Sequence, residues 1–352
     1  MTLHRLWHVA TLATLTASVA CGKGPSYGSP NAIIAVVDPA IRDTVEPILR
    51  ASLEREARTT RAEKIFELTV TTPTEIGDFE KWRRLIVVEP YGEGSLVNDL
   101  VDPPGRGPVV EEVHDAWARD QTIWVLAAGE PASTVELARA KGDSLYRVIH
   151  ERFVAWQVDR MWASGRDSAL YRAMVDTLGF GIVLPRVYEE APGSAPESAR
   201  VFFNRDPRRV VSVSWSPRPA GITPDTVLAL RRALAEVAFP DQRIAGAEEG
   251  GGSPPDTAEA TTPADTARPD GSPRVRRTTL DGRPAVRVQG VWREVDGTSA
   301  GVFLAYGVGC GDRLVLLDGD LFAPDRDKYP YVIQLERIFH TFHCAAAGNG
   351  ER

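Results

Sequence analysis

Short apolar runs alternate with amphipathic stretches through the first half of the chain. Short apolar runs are typical of buried strands, whereas apolar residues spaced three and four positions apart are typical of helices. The predicted strands are 31–37, 64–70, 85–88 and 122–127. The predicted helices are 41–53, 73–82, 109–117, 133–161 and 168–178. Because strands alternate with helices, the pattern predicts an α/β domain over residues 31–165.

The second half has a different pattern, with longer series of strands separated by turn residues. The predicted strands are 180–184, 200–203, 210–215, 285–294, 302–306 and 314–317. Two helices are predicted, over 224–239 and 329–342. Thr223 and Pro224 suit the N-cap and the first turn of the first of these, and Gly179 suits a helix C-cap. Series of strands followed by helices predict an antiparallel α+β sandwich over residues 166–344.

One segment inside the second half differs in composition. Residues 247–273 contain no Val, Ile, Leu, Met or aromatic residue, and they carry six acidic side chains and one basic side chain. Such a segment cannot bury enough apolar surface to offset the entropy lost on ordering. We therefore predict a disordered acidic insertion. It acts as a solvated loop or, alternatively, as an interaction segment.

The N-terminus has the layout of an export signal. Arg5 precedes a short apolar stretch that ends in Ser18-Val19-Ala20-Cys21. This layout predicts a signal peptide over residues 1–20. The small residues before Cys21 resemble a bacterial lipobox, which implies lipidation of Cys21 after cleavage. Residues 21–30 would then form a tether, and residues 345–352 a C-terminal tail.

The lipobox resemblance sets the expected location of the protein. Position 22 is Gly rather than Asp, so the expected destination is the outer membrane, with the domains facing the periplasm. No later run approaches the roughly 18 apolar residues of a membrane-spanning helix. The other cysteines, Cys310 and Cys344, would lie in an oxidising compartment, which favours a disulfide between them over two free thiols.

Composition narrows the class of protein further. The chain has 352 residues, of which 43% are hydrophobic and 25% are charged, and its formal net charge is −7. These values are ordinary for a globular protein, and the negative charge argues against nucleic acid as a partner. The length fits two domains.

No motif points to catalysis. The nearest string to the nucleophile elbow G-x-S-x-G lies at residues 92–96 and has the wrong spacing. There is no phosphate-binding loop and no dinucleotide-binding fingerprint, so no cofactor is implied. Beyond the signal peptide, the histidines are His114, His150, His340 and His343. His114 and His150 fall on predicted helices, where a histidine is usually structural.

The weak candidates for metal binding are His340 and His343. On a helix they would face the same side, so two imidazoles could share an ion, although no further ligand accompanies them. The acidic string that begins Asp318-Gly319-Asp320 lacks the spacing of a calcium loop. Asp318-Gly319 therefore predicts a turn, and Asp325 or Asp327 a cap for the last helix.

Several stretches carry a family resemblance. Residues 280–295, 303–306, 314–319, 322–324 and 331–336 follow one another in a set order, after the start at residues 30–38. With the lipobox, they resemble a family of bacterial lipoproteins known as a domain of unknown function. Residues 176–344 are also similar to the PsbP-like α/β sandwich, which implies a binding or assembly module. Neither resemblance supplies an active-site pattern.

Together these observations predict a lipid-anchored cell-envelope protein that is not an enzyme. Its expected role is to bind or to support assembly, with the membrane, another envelope protein or a small apolar ligand as partner. One alternative is a carrier for a lipophilic molecule, which requires a large apolar cavity of about 300–1,000 Å³. Another is an envelope hydrolase, which requires a pocket with paired acids of perturbed pKa.

Overall fold

A computed structural model describes residues 23–102, 107–191, 197–245 and 272–345. The predicted signal peptide, Cys21 and nearly all of the acidic insertion and the tail lie outside the described residues. The N-terminal half contains β1 (Ala32–Val37), α1 (Arg42–Leu53), β2 (Glu56–Arg58), β3 (Ala62–Lys64), β4 (Glu67–Thr71), a 3-10 helix (Pro73–Asp78), β5 (Arg84–Val88), α2 (Val97–Leu100), β6 (Val109–His114), β7 (Thr122–Ala127) and α3 (Pro131–Met161). Among the described residues, no helix is long and apolar enough to cross a membrane.

The N-terminal half is built on a five-stranded sheet in the order β4–β1–β5–β7–β6. The first four strands are parallel, and β6 runs antiparallel to β7 at the edge. The predicted helix over 109–117 is therefore wrong. Val109 and Val113 have helical spacing, but the segment is an edge strand whose outer residues are exposed, so tertiary pairing decides its conformation.

Helices α1 and α3 cover one face of this sheet. Alternate residues of β1, such as Ile33 and Ala35, pack against them, while Ile34 and Val36 face the other side. The two helices approach most closely where Gly142 of α3 meets Ser52 of α1. A Cβ atom at position 142 would lie only 2.2 Å from the Ser52 Oγ. Only glycine allows the helices this close contact.

The segment expected to be a free tether is partly bound to the N-terminal half. Arg119 donates its backbone N–H to the carbonyl of Gly24, and Ser26 donates to the carbonyl of Arg119, both at 2.8 Å. Tyr27 lies edge-on to Trp82, with ring centroids 5.9 Å apart. From Gly24 onwards the chain is part of the folded domain, because these bonds fix its backbone.

The C-terminal half contains α4 (Ser168–Leu178), β8 (Phe180–Gly181), β9 (Glu189–Glu190), β10 (Ala199–Asn204), β11 (Arg208–Pro217), α5 (Pro224–Ala238), β12 (Gln242–Ile244), β13 (Arg274–Leu280), β14 (Arg283–Glu294), β15 (Ala300–Cys310), β16 (Arg313–Phe322), α6 (Tyr329–Phe339) and β17 (His343–Cys344). Its sheet is antiparallel, in the order β12–β14–β15–β16–β11–β10–β9, and β13 also pairs with β14. Helix α5 packs on one face, and α6 and α4 pack on the other. The predicted fold class, α/β followed by an antiparallel sandwich, is confirmed.

Local signals explain how several of these helices begin and end. The Thr223 hydroxyl accepts a hydrogen bond from the backbone N–H of Thr226, whose own hydroxyl accepts one from the N–H of Thr223. This reciprocal arrangement satisfies two free N–H groups at the start of α5. Gly179 ends α4 at φ 76°, a left-handed conformation that glycine adopts without steric cost.

A disulfide joins Cys310 at the end of β15 to Cys344 in β17, with the Cα atoms 5.7 Å apart. Strand β17 also pairs with β8, where Cys344 lies opposite Phe180. The chain after α6 is therefore held covalently to the end of β15 and by backbone hydrogen bonds to β8.

The two halves meet along α3 and α6. Tyr329 and Ile333 of α6 belong to the core cluster of the N-terminal half. The Glu63 carboxylate in β3 accepts hydrogen bonds from the backbone N–H groups of Lys328 (2.7 Å) and Tyr329 (3.2 Å). The predicted cap by Asp325 or Asp327 is therefore wrong, because a residue of the other half stabilises the N-terminus of α6.

Candidate functional site

A cavity of about 200 Å³ lies where the two halves meet. We call it the cleft. Three segments of the N-terminal half and one of the C-terminal half form its walls. The lining residues are Ser29, Pro30, Asn31, Lys64, Ile65, Phe153, Trp156, Gln157, Arg160, Arg326, Asp327, Tyr329, Pro330, Tyr331 and Gln334. Because both halves supply side chains, the cleft exists only in the assembled chain.

Helix α3 supplies one wall through the periodicity of its sequence. Phe153, Trp156, Gln157 and Arg160 are three or four residues apart, so they lie on one face of the helix. Phe153 is buried, whereas Arg160 is exposed. This face of the helix is therefore apolar at the buried Phe153 and charged at the exposed Arg160.

Aromatic rings and guanidinium groups are interleaved along this wall. The guanidinium carbons of Arg160 and Arg83 lie over the Trp156 ring, 4.8 Å and 5.4 Å from its centroid. Phe153 is stacked parallel to Tyr329 of α6, with centroids 6.4 Å apart. Cation–π contacts of this kind hold the cations in place without neutralising their charge.

Two buried arginines lie directly behind the walls. Arg84 donates a hydrogen bond to the carbonyl of Pro30 on one side. Arg209 donates to the side-chain oxygen of Gln334 on the other, and its guanidinium carbon lies 5.2 Å from the centroid of the Tyr331 ring. Within the described ranges, neither arginine has a carboxylate partner.

Burial without a counterion has a measurable effect on Arg84. Desolvation, together with the neighbouring Arg83, lowers the pKa of Arg84 to about 10. The guanidinium still carries its charge at neutral pH, and it does so at a cost in solvation energy. Positive charge that no described carboxylate neutralises therefore lies behind the walls of the cleft, at Arg84 and Arg209.

The remaining charged groups of the lining are paired. Lys64 lies 2.9 Å from Glu54, and Arg326 lies 2.9 Å from Asp206. The lining carboxylate, Asp327, lies 3.2 Å from Arg61. These pairs are partly exposed and therefore weak. The side chains of Lys64, Arg326 and Asp327 therefore line the cleft as members of ion pairs.

His150 lies beneath the cleft on α3. Its Nε2 is 2.6 Å from the Tyr329 hydroxyl, and its ring is stacked on Tyr146 with centroids 5.5 Å apart. Burial, reinforced by the positive charge of Arg55, lowers the pKa of His150 to about 4. Burial also raises the pKa of Tyr329, so both groups are neutral at pH 7.

A second cluster of buried charge lies under α5. Arg231 donates hydrogen bonds to Asp318 (3.0 Å) and Asp320 (2.7 Å), and its guanidinium carbon lies 3.9 Å from the centroid of the Phe303 ring. Burial raises the pKa of Asp318, against the opposing effect of Arg231. The predicted turn at Asp318-Gly319 is wrong, because both acids lie inside β16.

The weak metal candidates do not share a helix face. Helix α6 ends at Phe339, so His340 lies at its C-cap and His343 lies in β17. The Nδ1 of His343 is 3.3 Å from Asp281, and the His340 ring is edge-on to Tyr306. Among the residues that the structure describes, no group of three His, Cys, Asp or Glu side chains could hold a metal ion.

Within the described residues, neither His114 nor Ser29 forms part of a catalytic arrangement at the cleft. His114 ends strand β6 rather than lying on a helix, and it faces Glu112 at 3.3 Å. Ser29, at the mouth of the cleft, donates its hydroxyl to the Asn31 side-chain oxygen. The described cleft can bind and orient a ligand through cations, amides and rings.

Sequence reasoning missed the cleft because its residues are far apart in the chain. Trp156 fitted a core position on a long amphipathic helix, and Arg209 lay between the predicted strands 200–203 and 210–215. A weak signal was present: Arg84, Arg160 and Arg209 each stand directly before an apolar residue. Their convergence becomes visible only when α6 is packed against α3.

Two family models match different parts of the chain. Residues 26–161 match a domain of unknown function, DUF8532, and residues 253–341 match another, DUF4837. No curated protein matches the chain. The predicted resemblance to a domain of unknown function is thus confirmed, for two such domains.

Solved structures that are similar to about half of this chain include the following two. Cyanobacterial PsbP (CyanoP) from Synechocystis sp. PCC 6803 is 15% identical over 47% of this chain and 86% of its own, with a TM-score of 0.31. LpqN, described as involved in cell envelope biogenesis of Mycobacterium tuberculosis, is 14% identical over 46% of this chain and 79% of its own, with a TM-score of 0.27. A PsbP protein and an envelope protein are therefore among the structures that this chain resembles.

Proposed function

We propose that this chain is a cell-envelope protein that binds a small ligand in the cleft and performs no chemistry on it. The observation that carries the proposal is the construction of the cleft. Both halves contribute side chains to one concave site, in which a few polar groups converge on aromatic surfaces. Sites of this kind, at the junction of two domains, are where small molecules usually bind.

The proposed location rests on two independent features. The disulfide between Cys310 and Cys344 belongs to an oxidising compartment. The export signal and the lipobox-like sequence before Cys21 fit the same compartment and add an anchor. We propose that lipid on Cys21 holds the protein to the outer membrane, facing the periplasm.

The rival functions receive less support. A hydrolase would need accessible acids, but Asp318 and Asp320 are buried and both bind Arg231. A lipophilic carrier would need an apolar cavity. A second cavity, of about 350 Å³ between α5 and β12, is instead lined by charged and polar groups, including Arg231, Arg232 and Glu236.

The proposal is tested by asking what the full-length lipidated protein carries from the cell. Native mass spectrometry of the purified protein should show a bound small molecule that is lost from the variant Trp156→Leu. The control Trp117→Leu removes a tryptophan that packs on the opposite face of the first sheet. A protein that carries the same molecule after Trp156→Leu, or a hydrolysed product instead of an intact ligand, would contradict the proposal.

The anchor is tested separately by fractionation. The variant Cys21→Ser should move the protein from the membrane fraction to the soluble periplasmic fraction. A protein that stays in the membrane fraction without Cys21 would show that another feature anchors it.

A further inference from the structure

The geometry points to a small organic anion with a planar ring as the ligand of the cleft, the anionic group being a carboxylate or a phosphate. This inference rests on the proposed function, since it names the class of molecule that the cleft binds. It is carried by uncompensated arginines, by the aromatic lining and by the size of the cavity.

The charge of the ligand follows from the arginines. Arg160 lines the cleft, and Arg83, Arg84 and Arg209 each contact a residue that lines it; in the described part of the chain none of the four has a carboxylate within salt-bridge distance. Two of them are buried, where an uncompensated charge is costly. An anion in the cleft would recover part of that cost, whereas a cation would add to it.

One guanidinium group is also positioned to bind a planar anion directly. Arg160 lines the cleft and is held against Trp156, whereas Arg209 lies behind the wall, held by Gln334 and Tyr331. A guanidinium fork matches the two oxygens of a carboxylate or phosphate, and a side chain that is already positioned loses less entropy on binding. These contacts favour recognition by geometry as well as by charge.

The apolar part of the ligand follows from the rings and the volume. Phe153, Trp156, Tyr329 and Tyr331 all face a cavity of about 200 Å³. This volume is below the roughly 300–1,000 Å³ of sites for drug-sized ligands. One ring fits among these side chains, whereas a lipid chain does not. Inorganic phosphate would pair with the arginines but would make no contact with the aromatic rings.

The experiment is isothermal titration calorimetry of the full-length protein with four probes. Phenylacetate and phenyl phosphate carry a ring and a charge, benzyl alcohol carries the ring alone, and inorganic phosphate carries the charge alone. At least one ring-bearing anion should bind 10-fold or more tightly than both single-feature probes. Its affinity should fall as the salt concentration rises, because the attraction is electrostatic.

Two variants locate the binding. Arg160→Met should weaken binding of the ring-bearing anion about 10-fold, a loss equivalent to about 1.4 kcal/mol. The matched control, Arg147→Met, removes an exposed arginine on the same helix and should leave the affinity unchanged. Trp156→Leu should abolish the advantage of the ring-bearing anion over inorganic phosphate.

The outcomes separate this inference from the proposed function. If benzyl alcohol binds as tightly as the anions and Trp156→Leu removes that binding, the cleft is a binding site but its ligand is not an anion. If neither ring-bearing anion binds, the inference fails, while the mass spectrometry described above still decides whether the cleft holds a ligand. If the anions bind equally well to Arg160→Met and Trp156→Leu, they bind elsewhere and the inference also fails.

Discussion

Acidification should destabilise the protein through His150. In the folded state its pKa is lowered to about 4, against 6.5 for the free side chain. Because the unfolded chain binds the proton more tightly, the free energy of unfolding falls as the pH falls from about 6.5 towards 4. The stabilisation is fully present above that window and is lost within it.

The magnitude follows from the two pKa values. One pKa unit corresponds to about 1.4 kcal/mol, so the complete effect is about 3 kcal/mol, of which about 2 kcal/mol is lost by pH 5. The hydrogen bond to Tyr329 does not prevent the loss, since the tyrosine hydroxyl can donate to neutral histidine or accept from the protonated form. What remains is the cost of placing a charge in a buried stack close to Arg55.

The assay is urea unfolding at pH 7, 6 and 5. Other groups titrate in this range, so the informative quantity is the difference between the wild type and His150→Phe. The phenyl ring keeps the stack with Tyr146 and removes the titration; it leaves the Tyr329 hydroxyl unpaired at every pH, which shifts the stability but not its slope. Between pH 7 and 5 the wild type should lose about 2 kcal/mol more than the variant.

The exposed His114 provides the control. His114→Phe should retain the pH dependence of the wild type, because this ring is half exposed at the end of an edge strand. If the wild type and His150→Phe lose the same free energy of unfolding between pH 7 and 5, burial does not keep His150 neutral and the reasoning is wrong.

Three further sets of substitutions test how the fold is held together. Replacing Cys310 and Cys344 with Ser should lower the free energy of unfolding by about 2–4 kcal/mol, since the disulfide closes a loop of 34 residues; addition of reductant to the wild type should reproduce the loss, and equal stabilities would contradict it. Glu63→Gln should cost about 3 kcal/mol because Lys328 then remains buried without its carboxylate, and Lys328→Met in the same chain should recover part of that loss; a double variant no more stable than Glu63→Gln would refute the pairing. Arg231→Met should cost about 3–5 kcal/mol in urea unfolding, because it leaves the buried side chains of Asp318 and Asp320 without the guanidinium that binds them both; a variant as stable as the wild type would show that this buried cluster does not stabilise the fold.

Where a signal was local, the sequence was sufficient to predict the structure. The Thr223–Pro224 start of α5 and the Gly179 end of α4 depend on residues within one turn of the chain. Strand β6 was mistaken for a helix because Val109 and Val113 fit both periods, and the choice is made by pairing with β7.

Long-range compensation explains the errors around the charged groups. Asp318-Gly319 is a turn signal in a short window, but Arg231, 87 residues away, supplies the counterion that lets Asp318 lie inside a strand. Similarly, the cap of α6 comes from Glu63, 265 residues before Lys328. The cleft depends on the same distant packing, so its residues could not be grouped from their spacing.

The hydrogen bonds that begin at Gly24 limit how far the folded domain could lie from a membrane. Since Gly24 is already hydrogen-bonded to Arg119, a lipid on Cys21, as proposed, would be separated from the folded domain by the two residues at 22 and 23, so that Cys21 lies at most roughly 10 Å along the chain from Gly24. A folded domain with so short a link to the lipid could not move far from the membrane surface. It would stand against the bilayer with the surface around Arg119 and Asp115 turned towards the headgroups, so that any ligand must come to the membrane surface to be captured.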